Sequence, residues 1–158
     1  MIEFKNNNFV INKEVNTYLT RIIKNKSFAN GYIFYGAEGV GKKQTALNFI
    51  NEIFKLSSSS RNSFERITNN NHPDFLIIEP SSLLEAKRSK SSPLEKTSKS
   101  GSEIIKIAQI RNIKSFLGQK SINSEIKIVL IVDAHLLNEA ASNCLLKTLE
   151  EPNNGIFI

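Results

Sequence analysis

Apolar positions change their period along this chain, and the changes divide it into alternating elements. Residues 9–25, FVINKEVNTYLTRIIKN, repeat Val15, Leu19, Ile22 and Ile23 at helical spacing, which predicts a helix with one buried face. GYIFY (31–35) is a short β-rich run that ends at Gly36 and reads as a strand. KKQTALNFINEIFKL then sets Ala46, Leu47, Ile50, Ile53 and Phe54 on one stripe of a helix packed on a sheet. After a serine-rich break, SSSSRNS (57–63), the segment HPDFLIIEP (72–80) holds a buried strand over Phe75–Ile78, with a proline on either side.

The second half repeats the alternation. IIKIAQIRNIKSFLGQ (104–119) carries Ile107, Ile110, Ile113 and Leu117 at the spacing of an amphipathic helix. IKIVLIVDA (126–134) is a continuous apolar run ending in an acid, the pattern of a central parallel strand covered on both faces. NEAASNCLLKTLEE (138–151) opens on Asn138 as a candidate N-cap, places Ala141, Leu145 and Leu149 on one face, and is stopped by Pro152. GIFI (155–158) begins a further strand. Alternating strands and helices predict a three-layer α/β domain with a parallel sheet. A chain that stops inside an apolar strand is expected to be a fragment of something longer.

Composition narrows the chemistry. At 158 residues the chain has the length of one domain, taken here as 1–158. Its one cysteine, Cys144, forms no internal disulfide and reads as a small buried residue. His72 and His135 each lack a second ligand at helical spacing, so no zinc site is expected. No run reaches the ~18–20 apolar residues of a membrane span. The start, MIEFKNNNFV, lacks the basic and apolar regions of a signal peptide. A cytoplasmic protein without a membrane partner is the expectation. The formal net charge is +6, and EAKRSKSSPLEKTSKSGS (85–102) contributes Lys87, Arg88, Lys90, Lys96 and Lys99 to it. Its Ser, Lys and Pro content without aromatics predicts a flexible insertion at about 81–102, a solvated linker more than a DNA-binding arm. Lys127 reads as a strand-edge charge, and Glu150 and Glu151 as solvated.

The segment GAEGVGKKQTA (36–46) holds the candidate chemistry. It follows the Walker A pattern G-x-x-x-x-G-K-[ST] at Gly36, Gly41 and Lys42, between a predicted strand and a predicted helix. Gly36, Gly39 and Gly41 allow close backbone approach to phosphate, and Lys42 is placed to reach it. The next position, which should carry the hydroxyl that ligates Mg²⁺, is Lys43. An ammonium repels a divalent cation, and Thr45 lies two residues further, turned roughly 200° around the helix. ATP is therefore a possible ligand, weak or vestigial, with Mg²⁺ not expected. VLIVD makes Asp133 a candidate Walker B acid, followed by Ala134 where a glutamate would polarise water. No catalytic residue and no metal ligand are expected in this chain.

The stretch DAHLLNEAASNCLLKTLEEP (133–152) resembles the AAA+ subunits of bacterial replicative clamp loaders, whose helix Asn-x-Leu-Leu-Lys-Thr-Leu-Glu-Glu-Pro is among the most specific in AAA+ proteins. Active members, the tau/gamma subunits, carry Asp-Glu-x-His before this helix. Aligned without gaps, His135 meets their His, Asp133 their Glu, and Val132 the magnesium Asp. Asp133 therefore has two registrations, and either one loses an acid. FANGYIFYGAEGVGKKQTA, HPDFLIIEP and IAQIRNIKSFLGQK are also similar to the family, so the resemblance spans nearly the whole chain. Gly41-Lys42-Lys43, Val132-Asp133-Ala134 and the absence of a four-cysteine module after the first helix look like the delta-prime branch.

The resemblance implies an AAA+ P-loop NTPase fold and a scaffolding, stator-like role in the DNA polymerase III clamp loader. It implies tau/gamma and delta subunits as partners, with the sliding clamp and primed DNA reached through the complex. It also implies that Val10 and Ile11 lie near an adenine pocket. An active tau/gamma-like ATPase is the alternative, and a small phosphate-loop kinase a third reading. Deletion of residues 85–100 is expected to leave folding intact, checked by a thermal melt. Loss of clamp-loader binding to primed DNA on that deletion would contradict the linker reading.

Overall fold

In the computed structural model of the protein, residues 12–57, 63–80, 104–150 and 155–158 are described. The expected insertion at about 81–102, Val10, Ile11, Glu151 and Pro152 lie outside them. Asn12 opens helix α1 (Lys13–Asn25), its side-chain oxygen accepting from the Glu14 amide at 2.8 Å. Lys26, at φ 50°, ends the helix by donating its own amide to Ile22 and Ile23. Helix α2 (Lys42–Ser57) leaves the glycine loop, and the short α3 (Ser63–Thr68) packs on it. Strand β1 is Phe75–Ile78, helix α4 is Ile107–Gly118 and strand β2 is Lys127–Ile131. A 3₁₀ turn (Ala134–Leu136) leads to helix α5 (Glu139–Glu150), and strand β3 is Gly155–Phe157. The predicted N-cap of α5 is present, since the Ala141 amide donates to Asn138 Oδ1 at 2.8 Å.

The strands form a parallel sheet in the order β1-β2-β3, with Phe75 opposite Ile128 and Ile128 opposite Ile156. Because side chains alternate along a strand, each strand feeds two cores. Ile128, Leu130, Phe75 and Ile156 join Leu19, Ile23, Phe49, Ile50, Ile53 and Phe54 of α1 and α2. Val129, Ile78 and Phe157 join Ile110, Ile113 and Leu117 of α4 and Ala141 and Leu145 of α5. This is the predicted three-layer α/β arrangement. Among the described residues no helix is long and apolar enough to cross a membrane.

Several expectations need correction. GYIFY joins the sheet only at Gly31, through a bridge to Phe157, where Tyr32 donates to the Phe157 carbonyl at 2.8 Å. Among the described residues, 33–35 carry no strand pairing. Their alternation is kept by packing instead. Tyr32 and Phe34 lie 5.1 and 6.5 Å from the Phe49 ring, while Ile33 and Tyr35 are 90% and 91% exposed. Val15 and Leu149 are exposed, and Cys144 is only half-buried. Lys127 is no edge charge. It is buried on the central strand, its ammonium donating to the Phe116 carbonyl and lying 4.6 Å from that ring's centre. It thereby caps the carboxyl end of α4.

Two buried polar side chains hold the turns that precede β1 and β2. The Asp74 carboxylate accepts from the amides of Ile122, Asn123 and Ser124 at 2.8, 2.7 and 3.0 Å. His72 stacks on Phe54 at 4.2 Å, and its Nδ1 accepts from the Asp74 amide at 3.2 Å. Burial holds the His72 pKa below its ordinary value, opposed by Asp74 and helped by Arg66. Neutral His72 therefore stabilises the fold fully above the unfolded value of about 6.5, and this contribution falls as pH drops from there through the folded pKa. Stability measured by thermal or urea unfolding should decline over that window, with a limiting slope of about 1.4 kcal/mol per pH unit. His72→Asn should flatten the decline, and parallel profiles for the two proteins would contradict the assignment.

Candidate phosphate site

The glycine loop takes its shape from conformations that side chains resist. Gly39 and Gly41 both have φ 80°, in the left-handed region. A Cβ on Gly39 would meet nothing within 4 Å, so backbone conformation and not crowding demands glycine there. Helix α2 closes its first bond only at the Thr45 amide, which donates to Gly41 at 2.9 Å. The amides of Gly39 through Gln44 meet no acceptor among the described residues. Consecutive unpaired N–H groups at the positive end of a helix form a nest for an anion. Lys42 spans this nest, donating to the carbonyls of Gly36 and Ala37 at 3.0 and 2.9 Å, with a third N–H left over.

Lys43 goes elsewhere. Its ammonium reaches Glu79 Oε1 at 2.5 Å, just past the end of β1. The lysine side chain is 42% exposed and the glutamate side chain 1% exposed, so the pair is fixed by its buried anion. The Glu79 carbonyl in turn accepts from Gln109 Nε2 at 2.8 Å, and Gln109 Oε1 accepts from the Lys106 amide at 2.9 Å. The first turn of α4 is thereby tied to the same strand end. Thr45 is buried, and its hydroxyl donates to the Gly41 carbonyl at 3.0 Å, so it offers nothing to a ligand.

Gly36, Gly39, Gly41, Lys42 and Lys43 are brought together at the carboxyl edge of the sheet. Asp133 makes no side-chain hydrogen bond or ion pair with them among the described residues. It lies beyond the last residue of β2 at φ 54°, exposed, with no side-chain hydrogen bond or ion pair among the described residues. Val132 still ladders to the Ile78 carbonyl at 2.9 Å and packs with Ile128 and Leu130 on the α2 side of the sheet. The strand-end position on the α2 side is therefore apolar. Among the described residues no group of His, Cys, Asp and Glu could hold a metal ion. Sequence reasoning passed over Glu79. Its one signal was an acid placed between a buried strand and Pro80.

A parallel sheet between two helical layers, with a glycine nest opening onto a helix, defines a P-loop protein of the AAA+ kind. The chain belongs to the family described as DNA polymerase III, delta subunit, which matches residues 11–158. It is 29% identical over 154 residues to DNA polymerase III subunit delta′ of Bacillus subtilis, covering 89% of this chain and 40% of that one. With the delta′ subunit of Pseudomonas aeruginosa the identity is 26% over 136 residues, 82% of this chain and 36% of the relative. The chain thus spans well under half the length of these relatives. Its fold matches the crystal structure of a DNA polymerase III gamma subunit-related protein from Thermotoga maritima, with TM-score 0.58 and 23% identity, over 89% of this chain and 37% of that one.

Proposed function

We propose that this chain is the AAA+ module of a clamp-loader subunit that scaffolds the complex and does not hydrolyse ATP. The relatives' names support membership of the DNA polymerase III assembly. Tau/gamma and delta subunits are then its direct partners, and the sliding clamp and primed DNA are reached through the complex. Residues 1–158 act as one nucleotide-fold module within it, in the cytoplasm.

The observation that carries the non-hydrolysing reading is the Lys43–Glu79 pair. The nest and Lys42 fit a polyphosphate, because the nest amides meet no acceptor among the described residues and the Lys42 ammonium keeps one N–H beyond its two carbonyl partners. They do not fit Mg²⁺, because an ammonium occupies the hydroxyl position and Val132 occupies the strand end that faces α2. The Gly39, Gly41, Lys42 and Lys43 amides and the Lys42 ammonium would hold the phosphates, with Gly36 anchoring Lys42 through its carbonyl and the Lys43 ammonium staying on Glu79. Asp133 would contribute at most a solvated charge near the rim. No group in this set can orient or deprotonate an attacking water.

Titration of the chain with a fluorescent ATP analogue tests the reading. Binding is expected to be weak, with an affinity that does not rise when Mg²⁺ is added. Lys42→Ala should weaken it about tenfold, the worth of one charge-assisted hydrogen bond. Steady-state assays should show no turnover. Hydrolysis that disappears in Lys42→Ala would favour the tau/gamma-like ATPase instead.

A further inference from the structure

We infer that the groove between the last turns of α1 and residues 27–32 docks an acidic peptide segment of another protein, with Arg21 receiving the carboxylate. The groove encloses about 370 Å³, and its lining includes Tyr18, Arg21, Asn25, Ser27, Phe28 and Tyr32. That size lies within the range of ligand clefts, about 300–1,000 Å³. Tyr18, Arg21, Ile22 and Asn25 recur at helical spacing, so one face of α1 makes one wall. Lys26, in the left-handed conformation, ends the helix, and the residues after it make the other wall. The groove sits at the amino end of the run that leads into the glycine loop, and its reading does not depend on nucleotide binding there.

The polar groups of the groove are set to donate. Tyr32 is held edge-on against Phe49, with ring centres 5.1 Å apart. Its hydroxyl accepts from the Ala29 amide at 2.8 Å and keeps its own proton for another acceptor. Burial raises the Tyr32 pKa above its ordinary value, the Ala29 amide opposing the rise and Tyr18 adding to it, so the group is a donor at neutral pH. Arg21 has no hydrogen bond or ion pair among the described residues, and no Asp or Glu lines the groove. A guanidinium fork and phenol donors beside the rings of Tyr18, Phe28 and Tyr32 match one carboxylate with an aromatic side chain next to it. A nucleic-acid strand needs a row of cations to follow its phosphates, and Arg21 is the one cation in the lining. Tyrosine and arginine are also the side chains that carry most energy in protein interfaces, and Tyr18 is 61% exposed.

The test is an amide chemical-shift titration of the 158-residue chain with acetyl-Phe-Asp-Phe-amide. Saturable shifts are expected within residues 18–32. The analogue acetyl-Phe-Asn-Phe-amide should bind about tenfold more weakly, the worth of one charge-assisted hydrogen bond. Arg21→Gln should erase the preference for the Asp peptide, and Tyr18→Ala should weaken both peptides about threefold. Both residues lie at the surface, so the variants should melt like the parent. If Arg21→Gln does not fold, the two peptides compared on the parent still decide. Equal affinity for the two peptides, shifts outside the groove, or no saturable shift at all would overturn the proposal. So would a preference for the Asp peptide that survives Arg21→Gln. A single-stranded oligothymidylate that binds the same residues more tightly than the Asp peptide would overturn it in favour of a nucleic-acid site.

Discussion

Burial of β2 on both faces is the constraint from which the site descends. A strand that feeds two cores has no polar position to spare along its length, so polar groups collect where it starts and where it stops. At its start, Lys127 turns its ammonium to the end of α4, and the preceding turn is gathered by the Asp74 carboxylate. At its carboxyl end, parallel pairing brings the end of β1 alongside it, and α2 begins at the same edge of the sheet. The nest, Lys42, Lys43 and Glu79 are neighbours because the strands run in parallel. Antiparallel pairing of the same strands would send Glu79 to the opposite edge.

Within that frame the two lysines divide the work. Lys42 stays within the loop, where its donors hold the Gly36 and Ala37 carbonyls. Lys43 leaves the loop and pairs with the buried Glu79 carboxylate at the end of β1. One lysine shapes the cradle for an anion. The other places a positive charge where a Walker A loop carries a hydroxyl, and pairs it with Glu79.

Periodicity made most of the architecture legible. The strand over Phe75–Ile78 and the stripe Ala46, Leu47, Ile50, Ile53 and Phe54 lie where spacing placed them, as does the cap at Asn138. Failures occurred where burial depends on what lies across a gap. Val15 and Leu149 fit their helical stripes but are exposed. Phe49 and Asn48 fall outside the apolar stripe of α2 and are buried nevertheless, because sheet, α1 and α3 surround that helix. GYIFY has the composition of a strand, but among the described residues it pairs only at Gly31.

By itself the sequence determined the alternation of elements, the glycine loop and the loss of the hydroxyl after Lys42, since each is written in local spacing and residue type. It left Asp133 with two registrations, because a one-residue shift at a strand end changes which side a residue faces without changing the apolar run. Only the tertiary structure decided that Val132 packs on the α2 side, and that Asp133 sits exposed in a left-handed turn past the strand. It alone joined Lys43 to Glu79, residues separated by 36 positions. A salt bridge of that reach follows from strand order and helix docking, which no local pattern encodes.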